Sequence, residues 1–246
     1  AMFAIGEDSG GSIRNPAGWC GISGLKVTYG RVSRYGAIAY ASSLDTVGPM
    51  AKSAQDLAII LEQIAGIDKY DATSSPNIVP NYSNNLDVDI KKIKIGIPFE
   101  LNLQINEAAT QLKDLGAEII DISLPMLKYA VSIYYLLAPS ETSSNLGRYD
   151  GIRYGNGREN FTQESMRRIL IGTFALSSGY YDAYYKKAQQ ARTKIIEDYQ
   201  KAFAKCDVII MPISPYVAPK FGELIADPIK NMLADMYAVT ANISGI

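Results

Sequence analysis

Eight glycines fall within one short N-terminal stretch of this chain: Gly6, Gly10, Gly11, Gly18, Gly21, Gly24, Gly30 and Gly36. Such density demands many tight turns or close backbone approaches, and it leaves no room for a sustained helical period. The stretch is not a flexible linker, because apolar Ile13, Trp19, Ile22, Leu25, Val27 and Tyr29 interleave with the glycines. Residues 6–50 are therefore expected to be ordered, turn-rich and built from short extended runs.

The remainder reads as alternating helices and strands. Ser53 suits a helix N-cap with Asp56 at N3, Leu57, Ile60, Leu61 and Ile64 make one apolar stripe, and Gly66 is placed to end the helix. After a Ser-, Asn- and Pro-rich connection at 73–89, residues 91–97 alternate with period two as a half-buried strand stopped by Pro98. A helix over 105–115 ended by Gly116 and a second strand over 117–122 complete a β-α-β unit with parallel pairing. Helices are predicted at 127–146, 163–176 and about 180–205, and a buried strand at 207–212. The repeated tyrosines Tyr180, Tyr181, Tyr184 and Tyr185 are read as packing or cleft-bordering residues. The pattern amounts to a single α/β domain, and 48% hydrophobic residues supply a sizeable core.

Composition narrows the chemistry. The chain contains no histidine, which excludes any Ser-His-Asp or Cys-His mechanism built within it. Two cysteines without imidazole leave few ligands for zinc and fit a reducing compartment, and both Cys20 and Cys206 are read as buried small hydrophobes. Lys plus Arg total 24 against 25 acidic residues, so no basic face is expected to grip nucleic acid by bulk charge. The start of the chain lacks the basic region of a signal peptide. The longest apolar tract, 129–139, is about half of what a bilayer span requires. A soluble protein of the cytoplasm or an organelle matrix is expected.

The chemistry is best placed at Gly6-Glu7-Asp8-Ser9-Gly10-Gly11-Ser12-Ile13-Arg14. Paired glycines before a serine let several N–H groups converge on one small space, as an oxyanion hole requires. Taken alone, Gly-Gly-Ser is also a common turn composition. The longer run through Asn15-Pro16-Ala17, Cys20-Gly21-Ile22-Ser23-Gly24-Leu25-Lys26, Thr28 to Ser33 and Ser43-Leu44-Asp45-Thr46-Val47-Gly48-Pro49 resembles the amidase signature over more than forty positions. Further runs resemble one branch of that family, the glutaminase subunits of glutamyl-tRNA(Gln) amidotransferases. They are Tyr134-Tyr135, Ser143 to Leu146, Arg148-Tyr149-Asp150-Gly151-Ile152-Arg153-Tyr154-Gly155, Arg167-Arg168-Ile169 and Ser177 to Lys187.

The resemblance implies an amidase-signature α/β fold, with a mixed central sheet flanked by helices on both faces. It implies Ser12 as the nucleophile that forms an acyl ester, with Ser9, Gly10 and Gly11 supplying oxyanion N–H groups beside the Ser12 amide. Arg168 matches the arginine that binds the α-carboxylate of glutamine, and Asp235 and Tyr134 match the residues that hold its amino group. Asp8 and Arg14, flanking the loop, are expected to pair and support it. No catalytic role is assigned to Lys26. No metal or cofactor is expected in this chain. ATP and magnesium would belong to the amidotransferase's B protein, which would also contact most of the tRNA, within a heterotrimer completed by its C protein.

The family's activating lysine and its second serine, held by a cis peptide bond, have no matching position here. The single domain over 1–246 is thus expected to lack the family's N-terminal part, some internal loop length and a C-terminal core strand. Two other readings stay open: a stand-alone amidase acting on another small amide, and a truncated scaffold without catalysis.

Overall fold

A computed structural model describes residues 1–224 and 227–246. The glycine-rich start forms β1 (Phe3–Asp8), a six-residue helix α1 (Arg14–Trp19) and β2 (Ser23–Gly24). It then loops to β3 (Thr46–Ala51), which pairs antiparallel with both strands in the order β1-β3-β2. Helix α1 is missed by the sequence pattern because one and a half turns are too short to display a period. Gly48 in β3 lies so close to the segment after β2 that a Cβ there would collide with the Leu25 carbonyl oxygen.

The α2 helix (Ala54–Ile64) begins as expected, with the Ser53 side chain accepting from the Asp56 N–H at 3.1 Å. Beyond the polar connection, β4 (Lys94–Pro98), α3 (Asn102–Asp114) and β5 (Glu118–Ile122) form the parallel unit. β6 (Val208–Ile209) joins the other edge of β4, giving the order β5-β4-β6. Two expectations change here. β4 is not half-buried: Ile95, Gly96, Ile97 and Pro98 are all buried, because β4 is the central strand and is covered on both faces. β6 is two residues long and partly exposed rather than a buried strand over 207–212, since it is an edge strand. Among the described residues the strands therefore divide between two three-stranded sheets, one antiparallel and one parallel, with helices around them.

The main core lies among the helices. α4 (Ala130–Asn145) buries Ile133, Tyr134, Leu137 and Ala138 against α6 (Lys187–Phe203) and α8 (Val239–Ser244), which contribute Ile195, Tyr199, Val239 and Ile243. The long helix expected from residue 180 is interrupted: one π-helical turn (Asp182–Lys186) precedes α6. Tyr180 and Tyr184 sit on that surface and stack with each other and with Phe174 of α5 (Gln163–Leu176). The short helix α7 (Pro228–Leu233) is capped by Asp227, which accepts from the Ile229 and Lys230 amides. Cys206 is buried against Gly96, as expected, but Cys20 is exposed, because it follows the last turn of α1 at the surface.

Helices α4 and α5 approach each other very closely. A Cβ on Gly172 would run into the carbonyl oxygen of Pro139, so the two backbones touch where α4 carries its internal proline. Gly172→Ala is therefore expected to destabilise the protein by about 1–3 kcal/mol, the usual result of overpacking. A lower urea midpoint at unchanged slope would show it, and an unaltered midpoint would mean that the helices separate freely.

Candidate active site

The loop between β1 and α1 is organised around one buried carboxylate. Asp8 has no solvent exposure and accepts from the Gly11 N–H at 2.7 Å and the Ile13 N–H at 3.1 Å. Arg14 grips it with a fork, Nη2 to Oδ1 at 3.0 Å and Nε to Oδ2 at 3.1 Å. Asn242 of α8 donates to both the Asp8 carbonyl and Oδ1, and its own oxygen accepts from Arg14 Nη2 at 2.6 Å. Arg14 Nη1 reaches the Ala238 carbonyl at 2.9 Å. Burial alone would push the Asp8 carboxyl up, but the Arg14 charge, the hydrogen bonds from Arg14 and Asn242, and the Ile13 amide hold it below the usual carboxylate range.

This arrangement leaves Ser12 exposed at the turn, and its hydroxyl makes no hydrogen bond among the described residues. The amides of Gly10 and Ser12 likewise have no acceptor there. Gly11 differs from its expected role, since its N–H is committed to Asp8. The Ser9 hydroxyl is turned away to Asp45, at 2.6 Å. Gly10 is packed against the Tyr134 phenol: a Cβ there would sit 2.5 Å from Cζ. That contact explains why the position needs glycine.

A circuit of contacts runs around the loop. Asp45, after receiving Ser9, accepts the Tyr40 N–H at 3.0 Å. The Tyr40 hydroxyl accepts from Arg168 Nη1, and the Arg168 guanidinium also lies 5.4 Å from the Tyr40 ring and 5.6 Å from the Tyr135 ring. The Tyr135 hydroxyl donates to Asp235 at 3.2 Å, and the Asn15 side-chain amide donates to the other Asp235 oxygen at 2.8 Å. Asn15 returns the circuit to Gly11, whose missing Cβ would lie 2.9 Å from its Nδ2. Arg168 and Asp235 are thereby brought together with the Ser12 loop. Tyr134 differs in position from the expectation. It forms the floor under Gly10, while Tyr135, at right angles to it, is the tyrosine that touches Asp235.

Two carboxyls in this region titrate high. Burial pushes Asp235 up to about 6 despite the Tyr135 hydrogen bond and the Arg168 charge. Burial, with the neighbouring Asp45 charge, pushes Glu7 up to about 7. Lys26 is driven down to about 8 by burial and by Arg14, and its ammonium is spent on the Val27 and Ile246 carbonyls rather than on Ser12. Among the described residues, no group of His, Cys, Asp and Glu is arranged to hold a metal ion.

The family model described as Amidase matches residues 1–246. The chain belongs to the amidase family. It is 51% identical to the A chain of the glutamyl-tRNA(Gln) amidotransferase of Thermoanaerobacter pseudethanolicus, covering 100% of this chain and 55% of the relative. It is 50% identical to the same protein of Caldanaerobacter subterraneus subsp. tengcongensis, with the same coverage. The crystal structure of the Thermotoga maritima counterpart superposes with a TM-score of 0.82 at 39% identity, over 100% of this chain and 54% of that one. The chain thus spans about half the length of the curated relatives it matches. The two sheets and surrounding helices are this chain's version of the α/β amidase-signature fold.

Several residues around the Ser12 loop escape a reading of the sequence: Asn15, Tyr40, Asp45, Tyr135, Asn242 and Glu164, which accepts from Arg168 Nε at 2.7 Å. Asp45 lies inside a signature run and Tyr135 beside a chosen tyrosine, so both are within reach of one. Asn242 carries no local signal, since its partner is 234 positions away.

The geometry fixes two outcomes. Arg14→Met strands the Asp8 carboxylate without its cation and is expected to cost about 3–5 kcal/mol. A loss below about 1 kcal/mol on thermal unfolding would show that Asn242 and the amides suffice. Glu7 holds its proton more tightly folded than unfolded, so stability falls as pH rises from about 4.5 to 7. Glu7→Gln is expected to raise the melting temperature at pH above about 7 and to match the parent near pH 4.5. A gain that persists at the lower pH would place its origin elsewhere.

Proposed function

We propose that this chain is the glutaminase part of a glutamyl-tRNA(Gln) amidotransferase, hydrolysing glutamine to supply ammonia for conversion of Glu-tRNA(Gln) to Gln-tRNA(Gln). The observation that carries the reading is the exposed Ser12 beside the Gly10 and Ser12 amides, which have no acceptor among the described residues, on a loop pinned by Asp8 and Arg14. The names of the half-identical relatives support the choice of substrate.

In this reading the Ser12 oxygen attacks the side-chain amide carbon of glutamine, and the amides of Gly10 and Ser12, with that of Ser9, receive the negative charge on the carbonyl oxygen. Collapse of the tetrahedral adduct breaks the C–N bond and releases ammonia, and water then hydrolyses the acyl ester. The proton lost by Ser12 ends on the departing nitrogen, which leaves as ammonia. Among the described residues no titratable side chain hydrogen-bonds Ser12, so the chain is assigned the nucleophile, the oxyanion donors and the substrate contacts.

Arg168 would bind the substrate carboxylate. Its Nε is held by Glu164 at 2.7 Å and Nη1 by Tyr40, which leaves Nη2 donors for the ligand. Asp235 would take the ammonium, and that cation would offset the burial that raises its carboxyl. Tyr134 supports the loop from beneath. The amidotransferase's B and C proteins would complete the heterotrimer, with ATP, magnesium and most of the tRNA at the B protein. No helix of the described residues is long and apolar enough to cross a membrane. Two unpaired cysteines suit the cytoplasm or an organelle matrix.

Ser12→Ala in the assembled enzyme is expected to abolish glutamine-dependent amide transfer while sparing transfer from free ammonium. Equal loss with both nitrogen sources would remove Ser12 from this role.

A further inference from the structure

Asn15 is a buried side chain with one end in use. Its residue is 3% exposed, its Nδ2 donates to Asp235, and its Oδ1 is buried without a hydrogen-bond partner among the described residues. Leaving an amide oxygen dry and unpaired is unfavourable, so the position calls for a reason. Turning the amide over does not help. It would set the Asn15 oxygen against an Asp235 oxygen, two acceptors facing each other, and would cost Asp235 a donor. The contact with Asp235 therefore keeps the Asn15 carbonyl unpaired.

The two ends of a carboxamide lie side by side in one plane, so this unpaired acceptor is adjacent to the Asp235 contact. Asn15 is also packed on Gly11, the residue before Ser12. Asp235 has both oxygens occupied by neutral donors, Asn15 and Tyr135, and keeps lone pairs for a third. A ligand group that satisfies the whole arrangement must carry several N–H donors and positive charge. A primary ammonium does so with one N–H for the carboxylate and another for the carbonyl.

We propose that Asn15 binds the substrate's α-ammonium directly through Oδ1, so that Asp235 and Asn15 together select amides that carry an amino group. The proposal rests on the glutaminase reading and adds to it a residue that chooses among small carboxamides. A rival arrangement exists on the same helix. The Trp19 Nε1–H, one turn further along α1, is also buried without a partner among the described residues, and a water between it and Asn15 would satisfy both. In that case Asn15 would be a structural residue with no preference among substrates.

The experiment compares glutamine with glutaramate, which is glutamine without its α-amino group, in steady-state hydrolysis by the intact assembled enzyme. Asn15→Leu, close in shape and unable to hydrogen-bond, is expected to lower kcat/KM for glutamine about tenfold or more, the usual effect of deleting a hydrogen bond to a charged group. Glutaramate should lose less than glutamine does, so that the ratio of the two kcat/KM values falls about tenfold. In an Asp235→Ala background, Asn15→Leu should lower glutamine turnover further, because the carbonyl acts on the ammonium independently of the carboxylate. Where the leucine variant does not fold, Asn15→Ala gives the same readings.

Equal losses on both substrates, or no loss on either, would overturn the proposal in favour of a structural role. A glutamine-specific loss that vanishes in the Asp235→Ala background would also overturn it, leaving Asn15 as a residue that merely positions Asp235. A parent enzyme that turns over glutaramate but not glutamine would instead sink the glutaminase reading, and this inference with it.

Discussion

The buried ion pair between Asp8 and Arg14 is the interaction on which the rest of this molecule depends. Asp8 closes β1, Arg14 opens α1, and the residues between them must fold around their contact. The carboxylate gathers two loop amides, a guanidinium and the Asn242 side chain, so its charge is matched on every side. A carboxylate sealed from water tolerates ionisation only with this degree of compensation. The loop consequently has one shape, and that shape turns Ser12 outward.

The same pair ties the ends of the chain's site together. Asn242 of α8 and Ala238, the residue just before that helix, hold Arg14, and Ala238 lies three residues downstream of Asp235. Asn15, the next residue after Arg14, reaches back to Asp235. The Ser12 loop and the Asp235 carboxyl are therefore positioned by a common set of bonds. Tyr134 and Tyr135 divide two tasks between adjacent faces of α4: one ring supports Gly10 from below, and the other lies between Arg168 and Asp235. The raised values of Asp235 and Glu7 show the opposite side of such construction, because burial without full compensation pushes a carboxyl up.

Much of this is legible from residues alone. The Ser53 cap, the apolar stripe after it and the β-α-β unit carry local signals strong enough to survive tertiary packing. The signature run marks Ser12 and its neighbours, and two charges flanking it suggest a pair. What escapes the sequence depends on contacts distant along the chain. Whether Tyr134 or Tyr135 meets Asp235 turns on the rotation of α4 in its groove, and both tyrosines satisfy the pattern equally. That Gly11 donates to Asp8 rather than to a ligand is a matter of the orientation of one peptide plane. The alternation of lysines with isoleucines gives β4 the look of a half-buried strand, yet its central place in the sheet covers both of its faces. Cys20 has the composition of a core residue and lies in solvent because α1 is so short.

The exposed cysteine has a practical side. Cys206, the second of two thiols in the chain, is enclosed by packing, whereas Cys20 stands one residue past the helix that bears Arg14 and Asn15. A thiol-directed fluorophore would consequently attach at a single natural address, without engineered cysteines. Because that address is joined by one rigid turn and a half to the bonds around Asp8, its emission would report on how the site region moves when a ligand arrives.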